Sequence, residues 1–217
     1  MKTLTKYLNE KLVIFPSQAD EKSSIFPSQV NEKLIINKNY NDPYTCAPTS
    51  CNELRKIIND RYDKLGPGTN DKPIDFNDVD VSNIDSFRDN RSYHGIFENA
   101  KFEYIDLSNW DVSNVKNMSF MFSCCYHLKS VGDLSNWDVS DVEDMYKMFY
   151  GCEQLISVGD LSDWNVSKII NMSNMFYGCE QLKSVGDLSN WNVSKVNYMS
   201  NIFKESGITN IPDWYIG

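Results

Sequence analysis

The stretch DLSNWDVSNVKNMSFMFSCCYHLKSVG, residues 106–132, is followed by three further copies of itself with few changes. The copies begin at Asp133, Asp160 and Asp187, so the repeating unit is 27 residues long. One tryptophan marks each copy: Trp110, Trp137, Trp164 and Trp191. A unit of this length cannot bury its apolar face alone, so such repeats stack on one another. The sequence therefore predicts a solenoid or a propeller, in which function usually comes from a surface rather than from a pocket.

Within one copy, two kinds of apolar spacing follow each other. Val115, Met118, Phe122 and Cys125 recur every three to four residues, which predicts the buried stripe of a short helix. A serine precedes the stripe as a candidate N-cap in every copy: Ser113, Ser140, Ser167 and Ser194, with Glu143 completing a capping box. The segment LKSVGDL then predicts a short strand that pairs with its copies in neighbouring units. The expected fold class is α/β, with short parallel strands on one face of the array and short helices on the other.

The flanking segments divide the rest of the chain. Residues 1–48 are expected to be a largely extended leader and linker, in which IFPSQ occurs twice. Residues 49–74 predict a capping helix, because Ser50 and Glu53 form a capping box and Gly66–Pro67 ends the pattern. The apolar stripe of that helix is Leu54, Ile57, Ile58 and Leu65.

The remaining two segments are the array itself. Residues 75–105 are a degenerate first repeat, with Val79 in place of tryptophan and an insertion at 88–95. Residues 106–217 comprise four repeats and a C-terminal cap, which is expected where the tryptophan interval shortens before Trp214.

Three of the six cysteines occupy one repeat position, namely Cys125, Cys152 and Cys179. The position becomes Ala100 and Ser206 at the ends of the array, so it requires a small residue more than it requires a thiol. Free cysteine packs as a small hydrophobe, and we expect a buried column. Cys46 and Cys51 form a C-x4-C pair whose oxidation state stays open at this stage.

One aspartate recurs in every repeat, and such a series of carboxylates could form a metal site. Asp106, Asp133, Asp160 and Asp187 would form a ladder, and a cation such as Ca²⁺ could relieve their repulsion. The Gly-Asp context instead favours an aspartate that accepts backbone N–H groups of its own turn. A second column of Asn117, Asp144, Asn171 and Tyr198 is expected to bond turns in the same way.

Signs of catalysis are weak in this sequence. The chain has two histidines, His94 and His127, and neither stands in a recognisable catalytic motif. An active site needs distinct residues that converge once, whereas this chain repeats one pattern. We therefore expect no enzyme, no catalytic residues, no cofactor and no metal; the alternative would need a cluster around His94 and Asp89.

The composition and the distribution of apolar residues indicate which classes of partner and which cellular locations are favoured. The net charge of −9 disfavours nucleic acid, whose binding depends on clustered Lys and Arg. No apolar run reaches the length of a membrane span, and Asn9, Glu10 and Lys11 interrupt any signal-peptide core. An intracellular or virion-associated location is expected, with the bacterial surface as the alternative.

The motif DLSNWDVSNVKNMSFMF, together with MFYGCEQL, resembles the BspA-like leucine-rich repeats of bacterial surface proteins. The resemblance is strong over 106–217, weak over 75–105 and absent from 1–74. It implies a right-handed solenoid and a non-catalytic adhesion or binding role, without naming a partner. Related arrays occur in phages, so a phage-encoded member is a further interpretation.

Partner choice is expected at the positions that vary between repeats. Candidate residues are Tyr150, Tyr177, Lys168 and Lys195 on the array, and Phe15 and Phe26 in the leader. The first hypothesis is a scaffold that binds a protein or a glycan. The second is a structural component of a virion, docked to another protein through its leader.

Overall fold

The protein is described from a computed structural model, which describes residues 46–89 and 92–216. The leader, with Phe15 and Phe26, lies outside the described residues. We call the stacked repeats layers: layer 1 is 75–105, layer 2 is 106–132, layer 3 is 133–159, layer 4 is 160–186 and layer 5 is 187–212.

Helix α1, Cys51–Leu65, precedes the layers. Ser50 caps its first turn by accepting the N–H of Glu53 at 3.3 Å. The Glu53 carboxylate reaches back to the N–H of Thr49 at 2.8 Å, one residue before the partner that a capping box predicts. Gly66, with φ of 74°, ends the helix and donates its N–H to the carbonyl of Tyr62.

The apolar face of α1 covers layer 1. Leu54 and Ile58 are fully buried in the core, and Tyr62 meets Phe102 edge-on at 5.1 Å. Arg61 binds the carboxylate of Asp78 at 2.5 Å. Leu65, which the stripe predicts to be buried, is 61% exposed. That prediction is wrong because the core contact of α1 ends one turn earlier, at Tyr62.

Successive layers pair in parallel. Strand β1, Ile74–Asp75, pairs with strand β2, Ile105–Asp106, in the register that places Asp75 beside Asp106. Further along the array the pairing is carried by single-residue bridges. They run through two columns: Tyr104, Ser130 and Ser157, and Ser86, Asn117, Asp144, Asn171 and Tyr198. Equivalent residues of neighbouring repeats therefore lie side by side.

The short helices predicted within the repeats are absent, because α1 is the only α-helix among the described residues. In layer 2 the N–H of Met121 bonds Met118 within the layer, whereas the N–H of Phe120 reaches Tyr146 of layer 3 at 2.9 Å. Phe120 has φ of 61° and Cys124 has φ of 59°. A helix cannot contain such left-handed residues, so the three-to-four spacing here belongs to a chain of tight turns.

The predicted N-caps are wrong for the same reason. The N–H of Ser140 donates to the carboxylate of Asp138 at 3.0 Å. The N–H of Glu143 donates to the carbonyl of Lys116 in layer 2 at 2.8 Å, so it has no need of a cap. Ser113, Ser167 and Ser194 likewise donate their N–H groups to Asp111, Asn165 and Asn192.

Aromatic columns run through the core. Trp110 stacks on Trp137 with ring centroids 6.5 Å apart, and Trp164 stacks on Trp191 at the same distance. Each indole N–H donates to a main-chain carbonyl of the preceding layer, as Trp164 does to Leu134 at 3.0 Å and Trp110 does to Phe76 at 2.9 Å. Truncating such a buried ring costs about 3–5 kcal/mol, so the tryptophans hold adjacent layers together.

The cysteine column is buried, as the sequence predicts. Cys125, Cys152 and Cys179 are at most 1% exposed, and each thiol lies 2.9–3.1 Å from a phenylalanine carbonyl of the preceding layer. Burial raises the pKa of Cys179 to about 12. The three thiols therefore pack the core and donate to carbonyls of the preceding layer.

Glycine ends the strand-like segment of layers 2, 3 and 4, because a side chain would not fit there. Gly159 has φ of 87° and Gly186 has φ of 89°. A Cβ at Gly159 would collide with the carboxylate of Asp133, and one at Gly186 with that of Asp160. The glycine and the aspartate of the preceding layer therefore depend on each other.

We expect Gly159→Ala to destabilise the protein more than Gly66→Ala. Gly66 has a similar φ of 74° but open space around it, so its substitution carries the backbone cost alone, about 1 kcal/mol. The collision with Asp133 should add roughly 1–3 kcal/mol. Urea unfolding of both variants measures the difference.

A double variant, Gly159→Ala with Asp133→Ala, tests whether the contact between the new Cβ and the Asp133 carboxylate causes this loss. The second substitution removes the colliding carboxylate and should recover part of the loss. Equal destabilisation by the two glycine substitutions would contradict this account of the layer contact.

Candidate interaction surface

Two of the predicted partner-binding residues meet. Tyr150 and Tyr177 stack with ring centroids 5.1 Å apart and an interplanar angle of 17°, which confirms that they are neighbours. Both side chains are half-buried. Each follows a buried phenylalanine, Phe149 or Phe176, whose ring points into the core.

Tight turns hold the tyrosines in place. Lys147 and Gly151 both have left-handed backbones, with φ of 56° and 70°, so the chain reverses on both sides of Phe149. The N–H of Gly151 donates to the carbonyl of Tyr177 at 2.8 Å. The main-chain bond therefore holds the backbones of the two tyrosine-bearing turns side by side.

A longer row of rings and cations continues from this pair. The Lys147 ammonium lies 4.6 Å from the Tyr150 ring centroid and 5.2 Å from that of Tyr146. Tyr146 meets Phe120 edge-on at 5.1 Å, and the Arg88 guanidinium lies 5.1 Å from Phe120. We call this row the aromatic–cation strip: Arg88, Tyr93, Phe120, Tyr146, Lys147, Tyr150, Tyr177 and Lys204.

Most of the strip could not be found by comparing repeats. Tyr150 and Tyr177 share one repeat position, so a column of the alignment reveals them. Phe120 and Tyr146 occupy different positions and meet diagonally between layers 2 and 3. The only sequence signal was that both positions vary from copy to copy.

Hydrogen bonds raise the pKa of two phenol groups at or beside the strip. A hydrogen bond with Glu205 raises the pKa of Tyr177. A hydrogen bond with Cys124 raises the pKa of Tyr126, an exposed neighbour, to about 12. The surface thus offers hydroxyls and ring edges beside a few cations.

The predicted lysines do not join this strip. Lys168 binds the Asp141 carboxylate of the preceding layer at 2.5 Å, and that contact raises the pKa of Lys168. Lys195 is exposed in layer 5. Among the described residues, no contact that builds the strip involves either lysine.

The aspartate ladder bonds its own turns, as the Gly-Asp context predicts. Asp106, Asp133, Asp160 and Asp187 each accept the N–H of the serine two residues later at 3.0 Å. In the second column, Asn117, Asp144 and Asn171 accept in the same manner at 2.8–3.1 Å. Within 46–89 and 92–216, no cluster of three His, Cys, Asp or Glu side chains could hold a metal ion.

A cleft of about 250 Å³ lies between the start of α1 and layer 1, lined by Cys51, Ser86, Arg88 and Asp89 among others. Burial raises the pKa of Cys51 to about 11, so its thiol is not an activated nucleophile at neutral pH. No disulfide joins Cys46 and Cys51. His94 is not among the residues that line the cleft; it contacts Glu98 at 2.7 Å.

Comparison with known proteins identifies a family. Residues 91–214, more than half of the chain, match the family described as "Mycoplasma protein of unknown function, DUF285". The chain belongs to this family. No curated protein and no solved structure matches it. Among the described residues, no helix has the length and apolar character needed to cross a membrane.

The turn aspartates predict that the free energy of unfolding decreases at acidic pH. Serine hydrogen bonds lower the folded-state pKa of Asp160 and Asp187 below the ordinary value of 3.8. Because a lowered pKa stabilises the fold only above the unfolded value, that contribution is lost as pH falls from about 4 through the folded pKa. We expect Asp160→Asn to flatten this loss, since Asn165 and Asn192 accept the same serine N–H bond.

The measurement is the free energy of unfolding from pH 6 downward to about pH 2. Asp163→Asn is the charge-matched control, because Asp163 is exposed in the same layer. If both variants change the pH profile equally, the serine bond is not the cause.

Proposed function

We propose that the layers form a right-handed solenoid of the BspA-like leucine-rich-repeat kind, and that the protein is a non-catalytic scaffold for binding or adhesion. Parallel pairing in register between all five layers supports the fold. Membership of the DUF285 family agrees with a repeat protein. The partner is a protein or a glycan, and the bacterial surface is the setting that the family resemblance favours.

One observation carries the functional proposal. The interior positions repeat almost without change, whereas the strip combines residues that differ between layers and are fixed in place. Rigid tyrosines provide contact area at a small entropic cost, which is why they recur in binding interfaces. Nothing in the packing of the core requires Tyr150 or Tyr177, because the buried neighbours Phe149 and Phe176 already fill it.

The geometry of the pair favours contact through edges and hydroxyls. Tyr150 and Tyr177 cover each other's faces, so a partner meets ring edges, phenol groups and the ammonium of Lys147. Such groups suit sugar hydroxyls or peptide carbonyls. The net charge of −9 still disfavours nucleic acid.

Binding of the purified full chain to arrayed glycans and extracellular-matrix proteins tests the proposal. For any ligand found, Tyr150→Ser with Tyr177→Ser should weaken binding by about tenfold or more, since interface tyrosines are frequent hot spots. Tyr198→Ser is the matched control, because Tyr198 is 62% exposed and lies outside the strip. Equal effects of the two sets of substitutions would place the binding surface elsewhere.

The duplicated IFPSQ of the leader favours a second candidate, a structural component of a virion that docks through residues 1–35. Deleting 1–35 separates the two. In the scaffold, ligand binding survives the deletion. In the structural component, incorporation into the particle is lost, and the tyrosine substitutions have no effect on it.

A further inference from the structure

We call residues 172–178 of layer 4, and their equivalents in the other layers, the turn region. The main-chain hydrogen bonds that this region makes to the next layer all run from its N–H groups to carbonyls of that layer. From layer 4 to layer 5, the N–H of Met172 donates to Tyr198 at 2.9 Å, and the N–H of Asn174 donates to Ser200 at 2.8 Å. The same two bonds leave layer 3 from Met145 and Lys147. Each layer therefore presents a row of donors to the layer that follows it.

Layer 5 repeats this row, and no further layer pairs with it among the described residues. Its equivalent donors are the N–H groups of Met199 and Asn201, and neither has a main-chain or side-chain acceptor among the described residues. In layer 4, the Ile170 carbonyl accepts an N–H group of layer 5. Its equivalent in layer 5, the Asn197 carbonyl, has no donor among the described residues. An unpaired row of this kind is the condition in which sheets add a further strand.

Apolar side chains beside this row are also incompletely covered. Val166, Ile169 and Met172 of layer 4 are at most 1% exposed. Their equivalents in layer 5, Val193, Val196 and Met199, are only half-buried.

The segment that follows layer 5 covers a different part of its end. Trp214 stacks on Trp191 at 6.2 Å, and Tyr215 meets Phe203 edge-on at 5.2 Å. The tryptophan and phenylalanine columns are thereby closed. The valine and methionine columns are not closed in this way.

We propose that residues 193–201, the layer-5 edge, dock an extended polypeptide segment of a partner protein. The segment adds in parallel as a further layer. Its main-chain carbonyls accept from Met199 and Asn201, and its apolar side chains cover Val196 and Met199.

The chemistry of the edge favours this occupant over three others. A helix uses its carbonyls internally, so it cannot accept from the row. The same edge of a second copy would offer only the Asn197 carbonyl to the N–H groups of Met199 and Asn201. The opposite end of the array is covered by α1, whose Arg55 donates to the carbonyl of Gly95 at 2.9 Å. An anion could accept from the N–H groups but would leave the valine and methionine columns in water.

A synthetic peptide of residues 166–178, VSKIINMSNMFYG, serves as the probe, because it carries the sequence of a natural layer. We expect saturable binding to the full chain and slowing of amide exchange at Met199 and Asn201 by about tenfold or more, followed by NMR. A scrambled peptide of the same composition should leave both amides unchanged.

Val196→Asp should abolish this protection, and Ile156→Asp, which places the same charge at an exposed aliphatic position of layer 3, should not. Exchange of the Phe149 amide, which bonds Met175 in the core, reports whether each variant is folded. If exchange of the Phe149 amide shows that the Val196→Asp variant is not folded, the milder Val196→Thr variant is used in its place. It should weaken peptide binding by several-fold.

Several results would overturn the proposal. They are unchanged exchange at Met199 and Asn201 with the peptide, equal protection by the scrambled peptide, and unaltered binding by the folded Val196 variant. Protection by inorganic phosphate alone would make the edge an anion site. Concentration-dependent self-association in sedimentation, with protection of the same amides, would assign the edge to a second copy.

Discussion

Main-chain bonding between layers is the constraint on which the other features depend. In the turn region, alternate N–H groups reach the next layer and the intervening ones close turns within their own layer. This alternation requires left-handed residues at fixed places, which explains why Phe120, Lys147, Asn174 and Asn201 share a positive φ despite their different side chains. It also keeps equivalent residues side by side, so that tryptophan, phenylalanine and cysteine form columns. A repeat of constant length keeps this register, and the insertion at 88–95 lies between segments of layer 1 that still bond to layer 2 through Phe87 and Phe97.

Much of this arrangement could be predicted from the sequence, because a strict repeat states which residues are neighbours. The tryptophan stack, the buried cysteines and the turn-bonding aspartates all follow from one position compared across copies. The helices within the repeats were a wrong prediction, because apolar residues every three to four positions occur in a helix and in a chain of tight turns alike. Gly151 and Gly178, with left-handed φ of 70° and 72°, were the available signal against a helix. A glycine recurring inside an apolar stripe argues for a turn.

The aromatic–cation strip shows where comparison of repeats stops being informative. Its contacts are diagonal, as between Phe120 and Tyr146, and they include Arg88 from the irregular insertion of layer 1. A column of the alignment describes only how one position stacks on its own copies. Surface features that combine different positions of different layers therefore require coordinates, whereas core features do not. The layered core was therefore predictable from the sequence, and the contacts of the aromatic–cation strip were not.

The two ends of the array are chemically different for the same reason that the layers stack. In the turn region the bonds point from each layer to the next and leave N–H donors at the end of the array, whereas bonds such as Asn197 to Ile170 point back to the preceding layer. At the start, α1 brings Leu54 and Ile58 over the core and lays an arginine on a carbonyl. At the end, Trp214 and Tyr215 close two aromatic columns, while the N–H groups of Met199 and Asn201 have no acceptor in the part of the chain that the structure describes. The two ends of the array therefore favour different partners: carbonyls pair with the N–H groups of layer 5, whereas an arginine pairs with a carbonyl of layer 1.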